Sequence, residues 1–166
     1  MNDQSDLVIE PLGKKHNRAA FSCGIDELDR YLQRQASQDT KRRIARVFVL
    51  RSGTDAQTVL GYYTLSALSI DLATLPDDLA KKLPKHPIPA ALIGRLAVNA
   101  PAHGTGLGRI LLADAIKRTL ALSDEIAVYA MVVDALNADA EAFYQGFGFT
   151  KLNAATNRLF LPLKSF

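Results

Sequence analysis

The stretch Ala91-Ala-Leu-Ile-Gly-Arg-Leu-Ala-Val98, the loop His103-Gly-Thr-Gly-Leu-Gly108 and the apolar run from Arg109 to Leu122 read, in that order, as a strand, a glycine turn and a helix. Gly104, Gly106 and Gly108 lack the Cβ atoms that would keep a pyrophosphate away from the main chain. The helix opening behind them offers unpaired N–H groups and the positive end of its dipole. Backbone amides then serve as the anion receptor in place of a cationic side chain. Two other phosphate motifs are excluded. A dinucleotide fingerprint needs an acid about twenty residues further on, whereas Asp114 falls inside the helix and Asp124 and Glu125 precede a strand. No Gly-Lys-Ser/Thr follows the glycines, so the loop is not a P-loop.

Working outward, the apolar pattern alternates between the periods of strands and helices. Strands are expected at Leu7 to Leu12, Ile44 to Arg51, Val59 to Ile70, Ala91 to Val98, Ala127 to Asp134, Thr150 to Leu152 and Leu159 to Leu163. Asp26 is expected to cap a helix carrying Leu28, Tyr31, Leu32 and Ala36. Ser52-Gly-Thr-Asp55 marks a hairpin turn. A short helix is expected over Asp77 to Leu83, and the prolines force Pro84 to Pro89 to run extended. The last helix spans Asn137 to Gly146. The result is one α+β domain with a mixed sheet.

The chain has 166 residues, 48% of them apolar, enough for one continuous core. No apolar run approaches the length of a membrane span, and Met1-Asn-Asp-Gln-Ser-Asp6 lacks a signal peptide's charged and apolar regions, so a cytoplasmic protein is expected. A lone cysteine, Cys23, excludes an internal disulfide and a zinc cluster; no metal site is expected. Cys23 reads as a small buried residue, and His16 as a surface side chain.

A second constellation is Asn137-Ala-Asp-Ala-Glu-Ala-Phe-Tyr-Gln-Gly-Phe-Gly-Phe149, a helix bearing Phe143 and Tyr144 that turns into a strand. A tyrosine near a helix C-terminus packs its ring and keeps its hydroxyl at the rim; here it also follows a phosphate loop and a strand. On these two motifs the chain resembles the GNAT superfamily of N-acetyltransferases over nearly its whole length. Within that superfamily it looks most like the toxins of type II toxin–antitoxin pairs that acetylate the amino acid on charged tRNA. Phe21-Ser-Cys-Gly24 with Leu28-Asp29, Arg46-Val-Phe-Val49, Gly61-Tyr-Tyr-Thr-Leu65, Pro84 to Pro89 and Gly94-Arg-Leu-Ala-Val98 carry the narrower match.

The resemblance implies a GNAT fold: a mostly antiparallel sheet of about six or seven strands flanked by helices, splayed between the fourth and fifth. It implies acetyl-CoA as cofactor, with main-chain groups of Leu96, Ala97 and Val98 holding the pantetheine arm like an added strand. The Val98 N–H would meet the thioester oxygen. His103, Gly104, Thr105, Gly106, Leu107, Gly108 and Arg109 would surround the pyrophosphate, with Asn137 and Phe143 contributing from the later helix. His103 stands where the family usually has Gln or Arg; its ring still offers a hydrogen-bond donor. Tyr144 would protonate the departing thiolate, or hydrogen-bond to it without full transfer. An antitoxin of ribbon-helix-helix type and a homodimer are further implications.

The nature of the acceptor rests on two observations. The strand from Ala90 to Val98 carries no carboxylate to act as base. An α-amine, with a reference pKa near 7.7–8.0 against about 10.4 for lysine, needs one least, although Asp134, Asp139, Glu141, His86 or a water chain remain candidates. Charge is also uneven. The net charge is +3, but ten of the twenty basic residues lie from Lys14 to Arg51, against four acids. That block is either a solvated face or a track for tRNA phosphates in which Arg42, Arg43 and Arg46 take part. Lys85 and His86 would border the acceptor pocket. Arg95 must reach either a carboxylate on a neighbouring strand or the tRNA. Acetylation of a small amine or a protein N-terminus is the alternative activity, and a binding module without turnover the alternative class.

Overall fold

The computed structural model describes residues 6–165. Seven strands form one sheet in the order β1-β2-β3-β4-β5-β7-β6. They are β1 (Leu7–Pro11), β2 (Arg46–Ser52), β3 (Gly61–Ile70), β4 (Ile88–Val98), β5 (Ala130–Asp134), β6 (Thr150–Lys151) and β7 (Arg158–Pro162). The pairs β1–β2, β2–β3, β5–β7 and β6–β7 are antiparallel, and β4–β5 is parallel. This is the mixed, mostly antiparallel sheet expected of the family. The parallel ladder joins Ala90 to Ala130 and ends at Ile93 with Val133, while β4 runs on to Val98. Pairing between the fourth and fifth strands thus stops early.

The helices are α1 (Asp26–Arg30), which passes through a π-helical turn at Tyr31–Gln35 into α2 (Ala36–Lys41), then α3 (Asp77–Ala80), α4 (Leu107–Leu122) and α5 (Ala138–Gln145). Contacts divide the chain into two compact units: the chain up to Ser66 with Arg95–Ile116, and Ala67–Gly94 with the chain from Lys117 on. Each has its own apolar cluster. In the first, Phe21, Leu28, Tyr31, Leu32 and Ala36 pack with Val47, Val49, Tyr62 and Ala97. In the second, Ile70, Leu75, Ile88 and Ala90 pack with Ala130, Val132, Leu152 and Phe160.

Several expected boundaries move for identifiable reasons. β4 begins at Ile88, inside the proline segment, because Pro87 and Pro89 already hold the chain extended. Ile44 lies outside β2 and is exposed; Arg43 just before it takes a φ of 59°, which ends the helix and breaks the strand pattern. The Asp26 side chain does not cap α1. Ile25 holds the N-cap position, and Asp26 sits in the first turn, paired with Arg30 one turn later. An acid there still complements the helix dipole.

His16 is buried, contrary to the surface position expected. The Gly13 N–H donates to its Nδ1 at 2.9 Å, and its Nε2 reaches Glu10 at 3.1 Å, so both ring nitrogens are used. Glu10, on β1, also meets Arg51 and Lys15. The Arg51 guanidinium is the main cause that holds the Glu10 carboxyl down at about 2, against an ordinary value of 4.5. A lowered folded-state pKa stabilises the fold above the unfolded value and loses that contribution as pH falls through the folded one. Stability should therefore decline between about pH 4.5 and 2 from this cluster, and Glu10→Gln should flatten that limb in urea titrations run at several pH values.

Gly61 opens β3 because nothing larger fits. A Cβ there would lie 2.9 Å from the Ala97 carbonyl oxygen and 2.8 Å from Leu111 Cδ1. Gly61→Ala must push β3 away from β4 and α4, at a cost of about 1–3 kcal/mol, readable as a lower urea midpoint at unchanged slope.

Candidate active site

The glycine loop takes the shape its composition allows. Gly104 and Gly106 have φ values of 79° and 83°, in the left-handed region that other residues enter only at a cost. A Cβ on Gly104 would meet open space, so the loop surface is clear at that point. Residues 103–106 are exposed, and α4 begins at Leu107, two residues before the expected start. Its ladder starts with the Ile110 N–H on the Gly106 carbonyl at 3.4 Å, so the amides of Leu107 and Gly108 lie ahead of it, at the dipole's positive end.

The loop is fastened to the first unit on both sides. The Asn99 N–H donates to Leu60, and the Ala100 N–H to Ser22 at 2.7 Å. The Ser22 N–H donates in return to the Asn99 side chain at 3.0 Å. The Thr105 hydroxyl donates to the Ala102 carbonyl at 2.5 Å. His103 points its Nε2 at the Val98 carbonyl, 2.6 Å away, and so ties the loop to the end of β4. Buried Leu107, Leu111, Leu112 and Ala115 fix the start of α4 on the core. These bonds fix the loop in place ahead of α4.

The tyrosine helix belongs to the second unit. Asn137 is its N-cap: the side chain accepts from the Ala140 N–H at 2.8 Å. That gives Asn137 a structural task alongside the contact expected of it. Tyr144 is 7% exposed, and its ring meets Phe143 and Phe149 edge-on at 5.3 and 5.7 Å. Phe143 also leans on Phe147. Burial pushes the Tyr144 phenol up to about 12. Its hydroxyl makes no hydrogen bond among the described residues, and it is protonated throughout the neutral range.

Of the four candidate bases two are occupied, and Asp139 is exposed in the first turn of α5. Asp134 takes two hydrogen bonds from Arg158, at 2.8 and 3.0 Å, and Glu141 pairs with Lys151 at 3.2 Å. The His86 ring is exposed and, among the described residues, meets just the neighbouring Pro87 carbonyl; Lys85 beside it is also exposed. A cleft of about 460 Å³ in this unit is lined by Asp71, Asp134, Asn153, Asn157 and Arg158, none of them an expected site residue apart from the candidate base Asp134. Local turns and pairs engage all five side chains.

Arg42, Arg43 and Arg46 are exposed where α2 gives way to β2, and none forms an ion pair among the described residues. Elsewhere in the basic block, Lys15 and Arg51 bind Glu10, Arg30 binds Asp26, and Arg18 binds the Ser37 hydroxyl. Among the described residues Lys14, Arg34 and Lys41 are likewise exposed and outside any ion pair. Among the described residues Arg95 pairs with no carboxylate, so the expected salt bridge is absent. Its guanidinium carbon lies 3.6 Å from the centroid of the Tyr31 ring, an aromatic face in place of a carboxylate. Cys23 is buried, its amide bonded to Asp29, and burial pushes its thiol up to about 11, so it is inert as a nucleophile. Among the described residues no His/Cys/Asp/Glu group could hold a metal ion.

The fold and these motifs define an acetyltransferase. The family model for the acetyltransferase (GNAT) family matches residues 16–149, and the chain belongs to that family. It is 34% identical over 165 residues to a probable toxin TacT of Sinorhizobium fredii, covering 94% of this chain and 91% of that one. It is 38% identical over 131 residues to a tRNA-acetylating toxin of Mycobacterium tuberculosis, covering 78% and 76%. Among solved structures, a tyrosine-to-phenylalanine mutant of KacT superposes with a TM-score of 0.91 at 32% identity, covering 96% of each chain. AtaT complexed with acetyl-methionyl-tRNAfMet gives 0.88 at 33%, again with 96% of each. A tyrosine-to-phenylalanine mutant of AtaT, bound to the C-terminus of the antitoxin AtaR and acetyl-CoA, gives 0.81 at 29%, covering 96% of this chain and 95% of that one.

Proposed function

We propose that this chain is a toxin that transfers the acetyl group of acetyl-CoA to the α-amino group of an aminoacyl-tRNA, and so blocks translation. The observation that carries the reading is the open glycine cradle at the mouth of α4, directly after the strand end whose pairing with β5 has stopped. An amine so acetylated becomes an amide, and its nitrogen no longer attacks in peptide-bond formation. The tRNA-acetylating relative and the AtaT complexes with acetylated tRNA and with acetyl-CoA support this reading.

The residues fit the cofactor. Loop amides and the first-turn N–H groups of α4 suit a pyrophosphate, with Gly104 to Arg109 around it. The β4 segment Leu96 to Val98 suits an extended amide-bearing arm, Val98 N–H toward the reacting oxygen. When bound, acetyl-CoA supplies a thioester open to direct attack by an amine. Tyr144 serves the departing sulfur as a hydrogen-bond donor. With its phenol at about 12 and a thiol near 8.5, full transfer would be uphill by about 5 kcal/mol. The Tyr144 O–H therefore donates a strong hydrogen bond to the developing thiolate, which is released to solvent protons. With Asp134 and Glu141 engaged, the acceptor arrives as a free amine, a demand that an aminoacyl ester meets near neutral pH.

We read the chain as a single domain, since the family match runs through both compact units. No helix among the described residues is long and apolar enough to cross a membrane, in keeping with work in the cytoplasm. An antitoxin partner of ribbon-helix-helix type and a homodimer complete the proposal; the AtaT–AtaR complex supports an antitoxin partner as such.

Incubation with labelled acetyl-CoA and a pool of charged tRNAs, followed by sequencing of the labelled RNA, tests the activity. Label released from RNA with the acetylated amino acid is the expected result. Label found only on small amines or on protein would overturn it.

A further inference from the structure

Arg95 is the only charged residue on β4. It is half-buried, with its guanidinium carbon over the Tyr31 ring, 3.6 Å from the centroid, and it makes no hydrogen bond among the described residues. A guanidinium has five N–H donors in a rigid planar fork. Stacking on an aromatic face offsets part of its charge but uses none of those donors, which lie in the plane. The arrangement therefore holds the face and leaves the edge open.

Tyr31 is itself held. Its hydroxyl donates to Asp39 at 2.8 Å, and the Gln35 amide donates to the other oxygen of the same carboxylate at 2.9 Å. Asp39 is buried, and these bonds, with the fields of Arg95 and Arg42, keep its carboxyl below the ordinary range and hence ionised. The contact joins residues eight apart in one helix. In regular α-helix, eight steps of about 100° leave two side chains about 80° out of line, whereas seven steps bring them within about 20°. The π turn at Tyr31–Gln35 absorbs one residue, so that Tyr31 and Asp39 stand as if seven apart. Asp39 thereby sets a negative charge near Arg95 without taking its donors.

We propose that Arg95 is a fork for a phosphate at the acceptor end of the tRNA, and that Tyr31 and Asp39 are the positioning residues that hold it flat and open. The inference rests on the aminoacyl-tRNA reading. A planar bidentate donor matches a phosphate, the exposed Arg42, Arg43 and Arg46 of the same unit favour a polyanion, and Arg95 directly precedes Leu96 on the strand assigned to the acetyl donor.

The test combines binding of an RNA acceptor-stem minihelix across a salt series with steady-state kinetics on charged tRNA. Arg95→Ala should lower the slope of log affinity against log salt by about one phosphate's worth, 0.7–1. It should raise KM for charged tRNA about tenfold, with kcat within about twofold. Arg95→Lys should keep the slope and still raise KM, because the point charge remains and the fork is lost. Tyr31→Leu should reproduce the KM rise, Tyr31→Phe should rescue most of it by restoring the ring, and Asp39→Asn should fall between. An unchanged salt slope in Arg95→Ala would overturn the phosphate contact, and a wild-type KM in Tyr31→Leu would overturn the positioning role. If Arg95→Ala fails to fold, Arg95→Gln, which keeps much of the stem, replaces it in the slope measurement. Wild-type protein that acetylates amines but not charged tRNA would sink the substrate reading, while the minihelix slopes would still judge the fork.

Discussion

Tyr144→Phe is expected to lower acetyl transfer to charged tRNA by about 10²–10³, while the Kd for acetyl-CoA and the Tm stay close to wild type. The separation follows from the surroundings of the hydroxyl. The ring is gripped by Phe143 and Phe149, contacts that phenylalanine repeats, and the oxygen has no hydrogen bond among the described residues to lose. Removing it costs the folded state little and removes the donor proposed for the leaving sulfur. Because burial raises the phenol to about 12, wild-type transfer should keep its rate through about pH 10, where an ordinary tyrosine would lose its proton. A falling alkaline limb near pH 10, or a Phe variant with normal turnover, would remove Tyr144 from the chemistry.

Changing Arg42, Arg43 and Arg46 together to glutamate should weaken tRNA binding by about tenfold to a hundredfold at low salt and flatten its salt dependence, with acetyl-CoA affinity unchanged. Arg43 allows a sharper test. Its φ of 59° places it where glycine is preferred after a helix, and the strain of an L-residue there is of order 1 kcal/mol. Arg43→Gly should accordingly raise stability in urea while lowering tRNA affinity. Misfolding cannot produce that pair of opposite signs. A variant that gains stability and binds tRNA as before would mean that Arg43 merely ends the helix.

The sheet and the glycine cradle were legible in the sequence because each rests on local chemistry. Alternating apolar residues mark a half-buried strand wherever it pairs, and Gly104 and Gly106 announce the left-handed turn they adopt. What stayed hidden depends on partners distant in sequence or on a change of winding. His16 looks like a surface residue until Glu10 and the Gly13 amide close around it. Arg95 could be recognised as needing a partner, but an aromatic face on a helix far earlier in the chain left no mark beside it. The spacing of Leu28, Leu32 and Ala36 reads as plain α-helix, and nothing in it signals the wider turn.

That wider turn makes the segment sensitive to its length as well as to its composition. Deleting one residue between Tyr31 and Gln35 would let the coil relax into uniform winding, a change that helix propensity alone would welcome. Phase would survive the cut: with the extra residue gone, Tyr31 and Asp39 would stand seven apart in uniform winding, within about 20° of each other. Substitutions that forced uniform winding while keeping every residue would instead swing the two halves by about 100° against each other and carry Tyr31 out from under Arg95.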